Sequence, residues 1–168
     1  HAVMAILAAV IERERSGMGQ YIDISMTDCA VSLNAMAAAA SLAAQEPQEP
    51  EKGMLNGGSF YDYYETQDGR YFAVGSLEPQ FMSGLAAALD LPILMSKGMS
   101  FDPDDRKTVK AALQEKFRTQ SFSIWQQLFK NLDICVEPVL GLEEALSSTL
   151  SEQRGWVVDV PLSTNNEQ

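Results

Sequence analysis

The sequence predicts an α+β chain built in two pieces, and three observations carry that expectation. Two helical patterns flank a short strand-like run at the start; the stretch QEPQEPEK, Gln45 to Lys52, breaks them off; an Asp-Gly hairpin, further helices and short apolar runs follow. Residues 1–45 are therefore expected to form one piece, helix, strand and helix, and residues 46–168 a small α+β domain with a short antiparallel sheet and several helices.

Each element has a local reason. Residues Ala2 to Arg15 carry apolar side chains at helical spacing and run into Ser16 and Gly17, a C-terminal stop. In QYIDIS, Gln20 to Ser25, Ile22 and Ile24 alternate with polar neighbours, the pattern of a strand. Met26 to Ala44 reads as one long alanine-rich helix capped by Thr27 or Asp28, its small side chains permitting close packing against another helix or subunit. The prolines of Gln45 to Lys52 cannot extend that helix, which sets the boundary. Next, NGGSFYDYYETQDGRYFAVGS gives two strands joined around Asp68 and Gly69, residues that tolerate positive φ. Period two sets Phe60, Asp62 and Tyr64 on one face of the first strand and Tyr61 and Tyr63 on the other.

Pro79 suits a first helical position, and Phe81, Leu85, Ala88 and Leu89 form one stripe of the helix it opens, Gln80 to Leu89. Helices over Asp102 to Arg118 and Phe122 to Leu132 contribute Phe117, Phe122, Trp125 and Phe129 to a core. A strand over Ile134 to Leu140, a helix near Leu142 to Leu150 and a strand over Trp156 to Val160 complete the chain.

Composition narrows the functions. A net charge of −11 argues against binding a nucleic-acid backbone, and the only charged cluster with basic character is Glu12, Arg13, Glu14, Arg15; if CoA or a nucleotide binds, most of the cationic clamp lies elsewhere. Cys29 and Cys135 sit in apolar runs and are expected to be buried reduced thiols; with no CxxC spacing and no histidine partner they suggest neither a metal site nor a nucleophile. HAVMAILAAVI is too short to span a membrane and lacks the marks of a signal peptide, so the default compartment is the cytoplasm. Because the chain starts at His1 inside a helical pattern, it is expected to be part of a longer protein.

Two sets of residues invite chemistry. In GSLEPQF, Glu78 stands where an apolar run stops and a proline-opened helix starts; it is either a complement to the positive helix end or an acid placed to handle a proton. Asn56, Gly57 and Gly58 form either an ordinary loop or a turn that lets backbone N–H groups approach a bound group closely, and Tyr61 is a candidate wall for that group.

The segments ERERSGMGQYIDISMTDCAV, MLNGGSFYDYYETQDGRYFAVGSLEPQF, DICVEPVLGLEEAL and RGWVVDV, in this order and spacing, resemble the middle and C-terminal part of class III CoA-transferases, most of all their α-methylacyl-CoA racemase branch. The resemblance implies an α/β family fold: an interlocked homodimer whose large nucleotide-fold domains hold CoA and whose small domains close over the acyl end. It implies an acyl-CoA substrate, with coenzyme A as part of that substrate and no separate cofactor or metal. Residues 1–45 become a fragment of the large domain. In the racemases a histidine and an aspartate face the two sides of the α-carbon, and a glutamate matching Glu78 supports them. His1, Asp23 and Asp28 do not match that pair, so the isolated chain is expected to be inert. A CoA-transferase passing CoA between carboxylates, and a stand-alone dimerisation or interaction module, remain as alternatives.

Overall fold

The computed structural model describes residues 1–44, 49–55 and 57–160. The chain divides into two compact units, His1–Glu49 and Pro50–Gln168. Residues 45–48 of the expected break, and Asn56, lie outside the described residues.

The first unit holds helices α1 (Ala2–Ser16), α2 (Met26–Leu33) and α3 (Ala35–Ala44). Gly17 ends α1 at φ 71°, donating to Arg13 O. The expected strand over residues 20–25 does not form: alternation alone makes no strand without a neighbour to pair with, and the segment instead leads to Ser25, whose Oγ accepts from Asp28 N at 3.3 Å and caps α2. Ser25 thus takes the role assigned to Thr27 or Asp28. The single alanine-rich helix is also corrected to two, because Asn34 leaves the helical conformation while its Nδ2 donates to Ala30 O at 3.0 Å. No described residue of this unit is buried. Its described residues therefore form no buried core, and beyond the backbone bonds of each helix they are joined by contacts such as that of His1 Nε2 with Ser32 Oγ at 3.2 Å.

The second unit does have a core. Strands β1 (Asp62–Glu65), β2 (Tyr71–Val74) and β3 (Val136–Pro138) form an antiparallel sheet in the order β1-β2-β3. Helices α4 (Pro79–Leu89), α5 (Ile93–Lys97), α6 (Pro103–Phe117), α7 (Phe122–Phe129), α8 (Leu142–Leu146) and α9 (Thr149–Arg154) complete it. The register Asp62↔Val74↔Val136 puts Tyr64, Phe72, Val74 and Val136 on the inner face, where all four are buried. Phe72 meets Phe122 and Phe129 at ring-centre distances of 4.9 and 5.6 Å, and Phe117 meets Tyr64 and Trp125 at 5.4 and 5.5 Å. Trp125 donates its indole N–H to Phe117 O at 2.8 Å, so α6 and α7 are tied through a satisfied polar group.

The hairpin turn closes with Thr66 N on Arg70 O at 2.7 Å and Gly69 N on Thr66 O at 3.0 Å; only Gly69 takes positive φ, 76°, while Asp68 serves with its side chain. Asp68 Oδ1 accepts from Thr66 Oγ1 and from Phe122 N, which hold its carboxyl below the usual range and cap α7 from across the fold.

Several boundaries differ from expectation. α7 stops at Phe129, the third strand is confined to Val136–Pro138, and the helix near Leu142 becomes α8 and α9 with Ser148 Oγ capping the second. Residues 156–160 form no strand: Trp156, Val157, Val158 and Val160 are exposed, with no strand alongside among the described residues. Cys29 is half-buried and Cys135 exposed, against the expectation of two buried thiols.

Candidate active site

The outer face of the sheet carries the candidate site. The register puts Tyr63, Ala73 and Glu137 on that face, and continued by one residue beyond the strand ends it adds Tyr61, Gly75 and Cys135. Small residues on the middle strand lower the floor between two taller edges. The result is a trough of about 520 Å³, lined by these six residues with Leu55, Gly57, Asp62 and Val74. Tyr61 leans over the floor: a methyl group on Gly75 would lie 3.1 Å from its Cε2. Tyr64, on the opposite face, donates its hydroxyl to Phe60 O at 2.8 Å, and burial pushes its phenol well above the usual range, so it holds its proton and takes no part in acid–base work.

The joint that follows Gly75 is pinned by one carbonyl. Cys135 O accepts from Gly75 N at 2.7 Å and from Ser76 Oγ at 3.4 Å, while Leu77 N donates back to Gly75 O at 2.9 Å. The chain turns at once into α4, with Glu78 at the N-cap (φ −68°, ψ 141°) and its backbone carbonyl accepting from Met82 N. Its side chain makes no capping hydrogen bond. The exposed carboxylate has no hydrogen-bond or ion-pair partner among the described residues. It is nevertheless felt at the trough: desolvation raises the pKa of the Cys135 thiol, and the charges of Glu78, Asp133 and Glu137 raise it further.

The glycine pair plays a different part from the one considered first. Gly58 N donates to Gly53 O at 3.0 Å, and a methyl group on Gly58 would fall 2.2 Å from Lys52 O, so only glycine fits where the loop closes on itself. Gly57 adopts φ +77° and lines the trough; its carbonyl accepts from Lys110 Nζ at 2.8 Å, and Lys110 also pairs with Asp62 at 2.6 Å. Lys110 thus ties the loop to the strand beside Tyr61. The trough therefore gathers Gly57 and Tyr61, has Glu78 within electrostatic reach, and leaves Gly58 in the loop behind it. No group of His, Cys, Asp or Glu among the described residues is arranged to hold a metal ion.

Sequence reasoning missed Cys135 and Lys110 as neighbours of the site, although alternation in ICVEP placed Cys135 on the outer face. It also missed a basic cluster: Arg106, Lys107 and Lys110 face the glycine loop together with Lys52, so Glu12–Arg15 is not the only one.

The profile of CoA-transferase family III matches residues 1–167. The chain belongs to CoA-transferase family III. Among curated relatives of this family, it is 34% identical over 157 residues to the alpha-methylacyl-CoA racemase of Mus musculus, covering 90% of this chain and 40% of that protein. It is 32% identical over 158 residues to the racemase of Homo sapiens, with the same coverage. A human succinyl-CoA:glutarate CoA-transferase is 26% identical over 166 residues, covering 95% of this chain and 37% of that protein. The chain thus spans about 40% of the length of the racemases it matches. Among solved structures, a CAIB/BAIF family protein of Brucella suis aligns with a TM-score of 0.66 at 23% identity over 91% of this chain and 41% of its own, which speaks for the fold. No helix among the described residues is long and apolar enough to cross a membrane.

Proposed function

We propose that this chain is the acyl-facing part of a racemase-type enzyme that exchanges the α-proton of a 2-methylacyl-CoA thioester. The observation that carries the reading is Glu78: a carboxylate at a pinned joint, beside an aromatic-walled trough, with its side chain not used to cap the helix it precedes. A base removes the α-proton, the electron pair passes to the thioester oxygen to give an enolate, and an acid returns a proton on the opposite face. Glu78 acts as a positioning residue. It accepts a hydrogen bond from an imidazole, fixes its tautomer and favours its protonated form. Tyr61 and the floor at Ala73 and Gly75 receive the acyl group, and Gly57 flanks its entrance.

His1 is the only histidine of the sequence, and its Nε2 lies 3.2 Å from Ser32 Oγ within the first unit. The imidazole is therefore assigned to further polypeptide, as is the aspartate, and the isolated chain is inert. That polypeptide also covers the first unit, where Val3, Ile6 and Leu7 are more than half exposed, in an interlocked homodimer.

The transferase reading has less support. A dicarboxylic substrate brings a second negative charge, yet among the described residues the trough is lined by Glu137 and by Asp62, which Lys110 pairs, and by no lysine or arginine. The test joins the chain to its upstream coding sequence and follows both reactions side by side. Loss of the α-proton label of a 2-methylacyl-CoA into water, without CoA exchange between carboxylates, supports the proposal; CoA exchange with the α-proton retained refutes it.

A further inference from the structure

A second groove lies on the other side of the glycine loop, against the first two turns of α6, with a volume of about 530 Å³. Lys52, Arg106, Lys107 and Lys110 line it, against one carboxylate, Glu51. In a chain with 23 acidic and 12 basic residues, this lining reverses the sign of the surface around it.

The cations are not equally committed. Lys110 is held between Asp62 and Gly57 O, at 2.6 and 2.8 Å, and acts as a strut. Arg106 donates only its Nε, to Ser100 O at 2.9 Å, and its guanidinium lies 5.4 Å from the centre of the Phe101 ring. That bracing fixes the guanidinium, while its two terminal amino groups have no partner among the described residues. Lys107 is exposed and likewise has none. The start of α6 is not the donor, because Asp102 Oδ1 already accepts from Asp104 N and Asp105 N at 2.8 and 3.3 Å. A braced guanidinium fork beside an exposed ammonium suits a group with several oxygens and more than one negative charge. A carboxylate would satisfy one cation and meet Glu51, whereas a phosphoryl group engages both.

We propose that the groove between the Gly57–Gly58 loop and α6 binds a phosphoryl group through Arg106 and Lys107. The groove shares Gly57 with the trough, but the proposal does not depend on the role given to Glu78.

The test titrates the 168-residue chain with inorganic pyrophosphate, by calorimetry and by amide resonances. Saturable binding is expected, with shifts at Gly57, Gly58, Arg106 and Lys107 and weakening as salt rises. Lys107→Glu should weaken it by about tenfold, the weight of one charge-assisted hydrogen bond. Arg106→Glu should abolish it; because Arg106 also braces Ser100 O, Lys107→Glu, which breaks no internal contact, decides the matter if the arginine variant misfolds. Parallel titrations with 3′,5′-ADP and CoA identify the source: tighter binding of either assigns the groove to nucleotide-linked phosphates, and equal binding to free phosphate. Absence of saturable binding, shifts confined to other regions, or indifference to Lys107→Glu overturns the proposal.

Discussion

Lys110→Met tests whether the glycine loop is held in place or merely rests there. The substitution keeps most of the aliphatic stem and removes the ammonium that donates to Gly57 O at 2.8 Å and pairs with Asp62 at 2.6 Å. A hydrogen bond from a charged donor contributes about 1.5–3 kcal/mol. The Lys110 and Asp62 side chains are 32% and 31% exposed, so the ion pair adds at the low end of about 0.2–1 kcal/mol and water replaces part of the remainder. The expected loss is about 2 kcal/mol, and at about 4 °C per kcal/mol for a unit of this size Tm falls by about 8 °C. Thermal unfolding measures the loss, and amide exchange at Gly57 and Gly58 should accelerate in step. A shift below about 2 °C with unchanged exchange at both glycines would refute the strut.

Four further outcomes follow from the same contacts. Gly58→Ala drives a methyl group against the Lys52 carbonyl and should cost about 1–3 kcal/mol in urea unfolding, because the obstacle is backbone and cannot rotate away. Phe117→Ala removes a fully buried ring that touches Tyr64, Phe72, Trp125 and Phe129, and a loss of about 3–5 kcal/mol by denaturant melts is expected. Asp68 has a lowered pKa, chiefly through its hydrogen bond with Thr66, so its contribution is present above the ordinary carboxylate range and is lost as pH falls through its folded pKa. Asp68→Asn should therefore flatten the acid limb of a stability–pH curve, and an unchanged limb would contradict the assignment. In a Cys29→Ser background, Glu78→Gln should speed alkylation of Cys135 at mildly alkaline pH, since one of the charges raising that thiol is gone; an unchanged rate would place Glu78 outside the reach of the trough.

Local signals were legible in the sequence. Asp68-Gly69 marked the hairpin, Pro79 marked the start of α4, and period two separated the buried Phe60 and Tyr64 from the exposed Tyr61 and Tyr63. Features that depend on distant partners were not. Residues 20–25 alternate as a strand does, but a strand needs a neighbour, and none lies beside them among the described residues. The break at Asn34 had a readable cause, a side chain competing for Ala30 O, which the surrounding alanines outweighed. The sequence placed Glu78 at the joint without revealing that its carboxylate goes unused in capping. The groove of Arg106, Lys107 and Lys110 exists only because α6 is folded against a loop far away in the chain.

Proton exchange by the Glu78→Gln variant bears most directly on the account. Glutamine keeps the size and a carbonyl acceptor while removing the charge, so in the chain joined to its upstream half kcat for α-proton exchange should fall by about a hundredfold, with KM little changed and the pH profile displaced. Exchange at the wild-type rate and with the wild-type pH profile would contradict it.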